Sequence, residues 1–266
     1  MTDIKKLEQI ASQVRRDIVR MVHGAKSGHP GGSLGCADFL TALYFEVLKH
    51  NPSSFSMDGK GEDVFILSNG HISPVFYSVL ARSGYFDVKE LASFRALNSR
   101  LQGHPATKEK LEGVRVATGS LGQGLSYAAG VALAKKLDND PNFVFCLCGD
   151  GEIQEGQIWE AVMYSAHNKL NNLILTIDFN GRQIDGDTKD IMGFEELNSK
   201  FAAFGWQVIE MDGNNMADVV EKLHQAKFIS VNNRPVCIIM KTEMGAGVDY
   251  MMGCHKWHGI APSDDD

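Results

Sequence analysis

Gly149-Asp150-Gly151 follows the apolar run FVFCLC (143–148), and Asn180 comes thirty positions after Asp150. Between them, EIQEGQIWEAVMYSAHNK reads as a helix and NLILTID (172–178) as a second strand. The spacing predicts a carboxylate and an amide just past the carboxyl ends of two strands joined by one helix. In an open α/β sheet that edge binds ligands. An acid in such a turn conflicts with a bare phosphate loop, because Asp150 would repel a phosphate. A hard divalent cation between the two removes the conflict. Mg²⁺ takes oxygen ligands and commonly joins one or two protein groups to a diphosphate.

Five further clusters carry chemistry: Ser27-Gly28-His29-Pro30-Gly31-Gly32, Ser68-Asn69-Gly70-His71, Gln102-Gly103-His104-Pro105, Gly119-Ser120-Leu121-Gly122-Gln123-Gly124 and Cys254-His255-Lys256-Trp257-His258-Gly259. Five of the nine histidines fall in them. Glycine lets backbone approach a ligand closely. Histidine supplies a neutral donor and acceptor, or a cation near neutral pH. One Gly-His turn is usually only a turn; several converging turns suit a diphosphate and a polyhydroxylated substrate. Other readings are weaker. His255-x-x-His258 could be half a zinc site, but zinc usually takes three or four ligands. Neither 119–124 nor Gly149-x-Gly151 completes the dinucleotide fingerprint. Nothing local argues that Cys36 or Cys254 is an activated thiol. Glu152, Glu155 and Glu160 read as an ordinary charged helix face, and Trp159 and Trp257 as packing.

The elements that must hold these groups alternate. Leu7, Ile10, Ala11, Val14 and Ile18 predict a helix over 4–22. Further helices are expected over 36–49, 74–84, the LSYAAGVALAKKL segment and 216–230. Strands are expected at 64–68, 206–211 and 235–240, besides the two flanking the first helix-like run. Residues 98–118 show no period, and a loop that long is often functional. Alternating strands and helices imply a parallel sheet covered on both faces. Length (266 residues), 44% hydrophobic and 22% charged content read as an ordinary globular chain. A net charge of −7 argues against a nucleic-acid surface. No apolar run suggests a membrane span. The first residues, MTDIKKLEQ, are not those of a secretory signal. Five cysteines without a C-x-x-C pair suggest a reduced, cytoplasmic setting. Cys146 and Cys148 are expected on one strand face, in the core.

AKSGHPGGS (25–33), ILSNGHISP (66–74), QGHP (102–105), TGSLGQGLS (118–126), GDGEIQEGQIWEA (149–161), DFNGRQIDG (178–186) and WHG (257–259) occur in this order. Together they resemble the amino-terminal part of the transketolase family, from about residue 5 to Pro262. The resemblance implies a three-layer α/β/α thiamine diphosphate-binding fold with a mostly parallel central sheet, one domain over 1–266. It implies transfer of a two-carbon ketol unit from a ketose to an aldose, with thiamine diphosphate and Mg²⁺ or Ca²⁺ as cofactors. By the same resemblance, Asp150 and Asn180 are side-chain metal ligands, with the Arg182 carbonyl as a third. Gly149 and Gly151 shape the turn at the diphosphate. His71 and His258 touch the diphosphate, and His29 and His104 hydrogen-bond the sugar. Gly119 and Leu121 contact the cofactor, and Ile184 packs on its thiazolium ring. Glu155 and Glu160 resemble carboxylates linking two active sites of a dimer. His255 matches a family histidine to which no role is given. Ser120 and Arg182 depart from the commoner proline and smaller apolar residue.

The family's second domain, which binds the aminopyrimidine and supplies its activating glutamate, has no counterpart in these motifs. The resemblance therefore implies a split enzyme. A partner chain would carry the pyrimidine-binding and carboxy-terminal domains in an α₂β₂ assembly, acting on sugars, with no nucleic acid and no membrane. The sugar's terminal group (phosphate, sulfonate or another) is left open. Alternatives are the α subunit of a 2-oxo-acid dehydrogenase, a deoxyxylulose phosphate synthase, or a non-catalytic partner that kept the fold. SGHPG, SNGH and WHG speak against the first of these.

Overall fold

Successive side chains on a strand point to opposite faces, and here both faces are apolar. The structure, a computed structural model, describes residues 2–193, 196–230 and 233–266. Its strands are β1 (Val64–Leu67), β2 (Val144–Gly149), β3 (Leu173–Phe179), β4 (Arg182–Gln183), β5 (Gly186–Asp187), β6 (Gln207–Asp212) and β7 (Val236–Lys241). Its helices are α1 (Ile4–Ala25), α2 (Pro30–Gly35), α3 (Ala37–Ala42), α4 (Ser73–Arg82), α5 (Gly124–Leu137), α6 (Gly156–His167), α7 (Thr188–Met192), α8 (Leu197–Ala203) and α9 (Met216–Ile229).

Five strands form one sheet in the order β1-β2-β3-β7-β6. All of their pairings are parallel. Among the described residues, antiparallel pairing is confined to the small β4–β5 hairpin. Phe65, Phe145, Leu147, Ile174 and Ile238 face a core shared with α1, α3, α4 and α9. Val64, Ile66, Cys146, Leu175, Ile177 and Cys237 face a second core shared with α5 and α6. This is the three-layer α/β/α architecture expected from the sequence. Cys146 and Cys148 do share one buried face, with Sγ atoms 3.9 Å apart.

α6 links β2 to β3 over one face of the sheet, and α9 links β6 to β7 over the other. The direction of winding therefore reverses between β3 and β7. Such a switch point opens a crevice outside the carboxyl ends of the strands.

Two local expectations change. The SGHPGG segment is only partly a turn, because Pro30 opens α2 and all six of the helix's residues are buried. Proline's fixed φ suits that first position. Glycines give the segment poor helix propensity, so burial rather than propensity holds it. The helix expected over 36–49 is α3 followed by a widened π turn, Leu43–Val47. Residues 98–118 are irregular, as expected, apart from a 3₁₀ turn at Thr107–Glu109. α1 runs longer than expected; its buried Asp17 accepts from Ser78 and Arg82 and so ties α1 to α4.

Candidate active site

The strand ends place the acids. Asp150 follows β2 directly, and Asp178 lies near the end of β3; both are 2% exposed. Burying two carboxylates side by side is costly, and several donors offset it. Asp150 Oδ1 accepts from Gly151 N at 2.8 Å. Its Oδ2 accepts from Gly181 N at 2.8 Å and from the Thr188 hydroxyl at 3.2 Å. Burial, with Asp178 beside it, still pushes Asp150 up to about 7. Asp178 is also raised by burial. It accepts from the Thr242 hydroxyl just past β7, and from Asn180 Nδ2 at 3.0 Å. Asn180 Oδ1 accepts from Arg182 N at 2.9 Å. The Arg182 guanidinium pairs with Asp187 at 2.7 Å, along the hairpin.

A second group gathers three histidines. His29 is the N-cap of α2, His71 lies in a 3₁₀ turn after β1, and His258 closes the turn His255–His258. Their ring centroids lie 5.0 Å (His29–His71), 5.4 Å (His71–His258) and 5.8 Å (His29–His258) apart. α2 reaches this cluster because Gly31 has no side chain. A methyl there would come within 2.6 Å of Met244 Cγ and 2.8 Å of the Trp257 carbonyl oxygen. Gly119, at φ +119°, plays the same part opposite His104, whose Cδ2 would lie 2.6 Å from an added Cβ. His104 itself is exposed at the rim.

Burial first, then the neighbouring rings, hold His71 down at about 3. For His29, burial, His258, Arg95 and His104 lower the value to about 4. Burial also lowers His258, and burial with Arg95 lowers His104. At neutral pH the cluster is an array of uncharged donors and acceptors. Its polar demand is unmet among the described residues, where His29 Nδ1, Asn69 Oδ1 and Thr118 Oγ1 are buried without hydrogen-bond partners.

The residues expected in the site thus fall into two joined parts. Asp150, Asn180 and the Gly149–Gly151 turn stand at one end, and His29, His71 and His258 at the other. The side chain of Asn69, two residues before His71, faces Gly149. β4 packs on the His255–His258 turn, which brings the hairpin of Asn180 and Arg182 to the histidines. Leu121 (39% exposed) and Ile184 (67% exposed) are open apolar residues at the rim. Glu155, the N-cap of α6, and Glu160 on that helix are exposed and do not enter the cluster. His255 is exposed, so it parts from His258 despite their spacing. Among the described residues no group of three His, Cys, Asp or Glu side chains is placed to hold a metal. Asp150 and Asn180 each present a side-chain oxygen at this end, a donor type that suits a hard cation rather than zinc.

Three participants escaped the sequence reading. Asp178 orients Asn180, and the acid two places before Asn180 was its only signal. Arg95, at φ +58°, donates to Ser27 Oγ at 2.8 Å and lies against Gly103, and its Nε is buried without a partner. Nothing in the sequence marked it. Glu152 is buried, not on a charged helix face as expected.

A parallel α/β sheet with a buried acid turn and a neutral histidine cluster past its strand ends defines a ligand-binding α/β protein. The chain belongs to the transketolase family, matching the description "Transketolase, thiamine diphosphate binding domain" over residues 6–266. It is 36% identical over 260 residues to an apulose-4-phosphate transketolase subunit of Phocaeicola vulgatus, covering 98% of this chain and 90% of that one. It is 37% identical over 254 residues to a 6-deoxy-6-sulfo-D-fructose transketolase subunit of Clostridium sp., covering 96% and 90%. A crystal structure of Campylobacter jejuni transketolase superposes with a TM-score of 0.89 at 36% identity, covering 98% of this chain but 41% of that longer one. These matches favour the transketolase reading over the 2-oxo-acid dehydrogenase reading. No helix among the described residues is long and apolar enough to cross a membrane.

Proposed function

We propose that this chain is the diphosphate-binding, amino-terminal subunit of a two-chain transketolase that moves a two-carbon ketol unit from a ketose to an aldose. One observation carries the reading. Segments scattered from residue 28 to 259 come together past the strand ends: three histidine rings lie within 5.0–5.8 Å of one another, and β4, beside Asn180, packs on the His255–His258 turn. The proportions agree with it: the chain matches nearly the whole of proteins named as single subunits of a transketolase, and two fifths of a single-chain transketolase.

Thiamine diphosphate, when bound, supplies the carbanion chemistry that cleaves and re-forms the carbon–carbon bond. Asp150, Asn180 and the Arg182 carbonyl are the groups that would hold Mg²⁺ or Ca²⁺, which would neutralise the charge of the diphosphate. Asp150 Oδ1 receives a single hydrogen bond and keeps a lone pair for a cation. A cation there also offsets the charge crowded between Asp150 and Asp178. His71 and His258 face the diphosphate end. His29 and His104 donate to the sugar's hydroxyl and carbonyl oxygens. Kept neutral, they stabilise developing oxyanions and relay protons without a charged ring at rest. The partner subunit closes the site over Leu121, Ile184, Glu155 and Glu160, and two such pairs form an α₂β₂ assembly. The sugar carries an anionic tail, as apulose 4-phosphate and 6-deoxy-6-sulfo-D-fructose do in the relatives' names.

The chain is tested alone and with a carboxy-terminal transketolase subunit, using each of those two ketoses and an aldose acceptor. Ketol transfer is expected from the mixture only. Transfer by the lone chain would contradict the split-enzyme reading, and a mixture inert with both sugars would contradict the anionic-tail reading.

A further inference from the structure

Glu152 is 2% exposed, at the foot of the Gly149–Gly151 turn. An isolated buried carboxylate is expensive. This one is fully engaged. Oε1 accepts from the Ser68 hydroxyl and from Gly122 N at 3.0 Å. Oε2 accepts from Gly149 N at 3.1 Å. The Ser68 oxygen in turn accepts from Gly124 N at 3.1 Å. Burial raises the carboxyl, and bonds from Ser68, Gly122, Gly149 and Cys148 offset part of that rise.

The donors come from three segments far apart in the chain. Ser68 precedes the turn of His71. Gly122 and Gly124 close the turn of Gly119 and Leu121. Gly149 begins the turn of Asp150. Glu155, three residues on, is exposed and makes no such bonds. We propose that Glu152 is a positioning residue for thiamine diphosphate, one carboxylate that fixes the mutual spacing of the three backbone segments forming the diphosphate cradle. It reaches the cofactor only through them. This inference rests on the cofactor assignment above.

The carboxylate alone accepts from all three donors. In Glu152→Gln one of the two oxygens becomes an NH₂ that meets another donor. Removing one partner of a buried charge-assisted bond is costly. The test uses the chain with its partner subunit, comparing wild type, Glu152→Gln and Ser68→Ala. Calorimetry reads the dissociation constant of thiamine diphosphate with Mg²⁺, and amide hydrogen exchange reads the cofactor-free turns. Glu152→Gln is expected to weaken cofactor binding about 10-fold or more. Exchange at Gly122 and Gly149 speeds up, while turnover at saturating cofactor falls less than about threefold. Ser68→Ala, which removes one tie, weakens binding less, and it decides the question if Glu152→Gln does not fold. A variant that melts earlier yet binds with the wild-type constant would show a stabilising role only and overturn the proposal. A wild-type complex that binds no thiamine diphosphate would overturn the cofactor assignment, and this inference with it.

Discussion

Burial, not a neighbouring acid, sets the charge of the histidine cluster. His71 is held at about 3 and His29 at about 4, with desolvation the largest cause for both. Both values lie below the ordinary 6.5 of an exposed histidine. These two rings therefore bring stability that is fully present above pH 6.5 and drains away as pH falls toward 4 and then 3. Asp150 runs the other way. Raised to about 7, it favours the fold at low pH and withdraws that support as pH rises through 7. The two trends overlap, so a bulk stability curve cannot separate them, whereas ring resonances can. In a histidine NMR titration of the cofactor-free chain, His29 and His71 are expected to stay flat from pH 8 down to about 5. A midpoint near 6.5 at either ring would mean that it is solvated and charged in mild acid, unsuited to the role of neutral donor.

Helices and strands follow simpler rules than the turns that join them. β1, β2, β3 and β7 were legible because strands covered on both faces read as unbroken apolar runs. α1 was legible from its single apolar stripe, and Asp150 and Asn180 from where their strands end. α2 was not, because PGGSLG holds three glycines and no period. What makes it a helix is distant in sequence: Met244 and Trp257 press on Gly31. Glu152 was misread for a related reason. Local spacing cannot reveal that its three donors arrive from residues 68, 122 and 149. That the histidine turns meet at all came from motif resemblance, since periodicity contains no information about convergence. The position of α2 carries its own test. Gly31→Ala puts a methyl 2.6 Å from Met244 Cγ and 2.8 Å from a backbone oxygen that cannot rotate away. Overpacking of this kind costs about 1–3 kcal/mol. A urea titration is expected to show a loss in that range with an unchanged slope. Because the strain lies between α2 and the His258 turn, cofactor affinity should fall as well. Stability and affinity both equal to wild type would mean that the two elements are not in contact.

At the scale of the whole molecule, the site stands open along one edge. Asp150 and Asp178 lie inside, but His104, Leu121, Glu155, Glu160 and Ile184 face outward around the same edge. Glu155 isolates the question of what covers them. It caps α6 by backbone position, and its side chain makes no capping hydrogen bond. Within the lone chain its charge can favour the helix N-terminus by only about 0.3–1 kcal/mol. If its role were internal, nothing beyond that small change would be seen. If it meets a partner subunit, the effect appears on association instead, where losing one side of a buried, hydrogen-bonded charge costs about 2–5 kcal/mol. Glu155→Ala is therefore expected to leave the urea midpoint of the isolated chain nearly unmoved. In sedimentation velocity it should weaken assembly with the partner at least tenfold, and activity should fall in step with the lost complex. An assembly constant unchanged by the substitution would place Glu155 outside the interface and count against the proposed α₂β₂ arrangement.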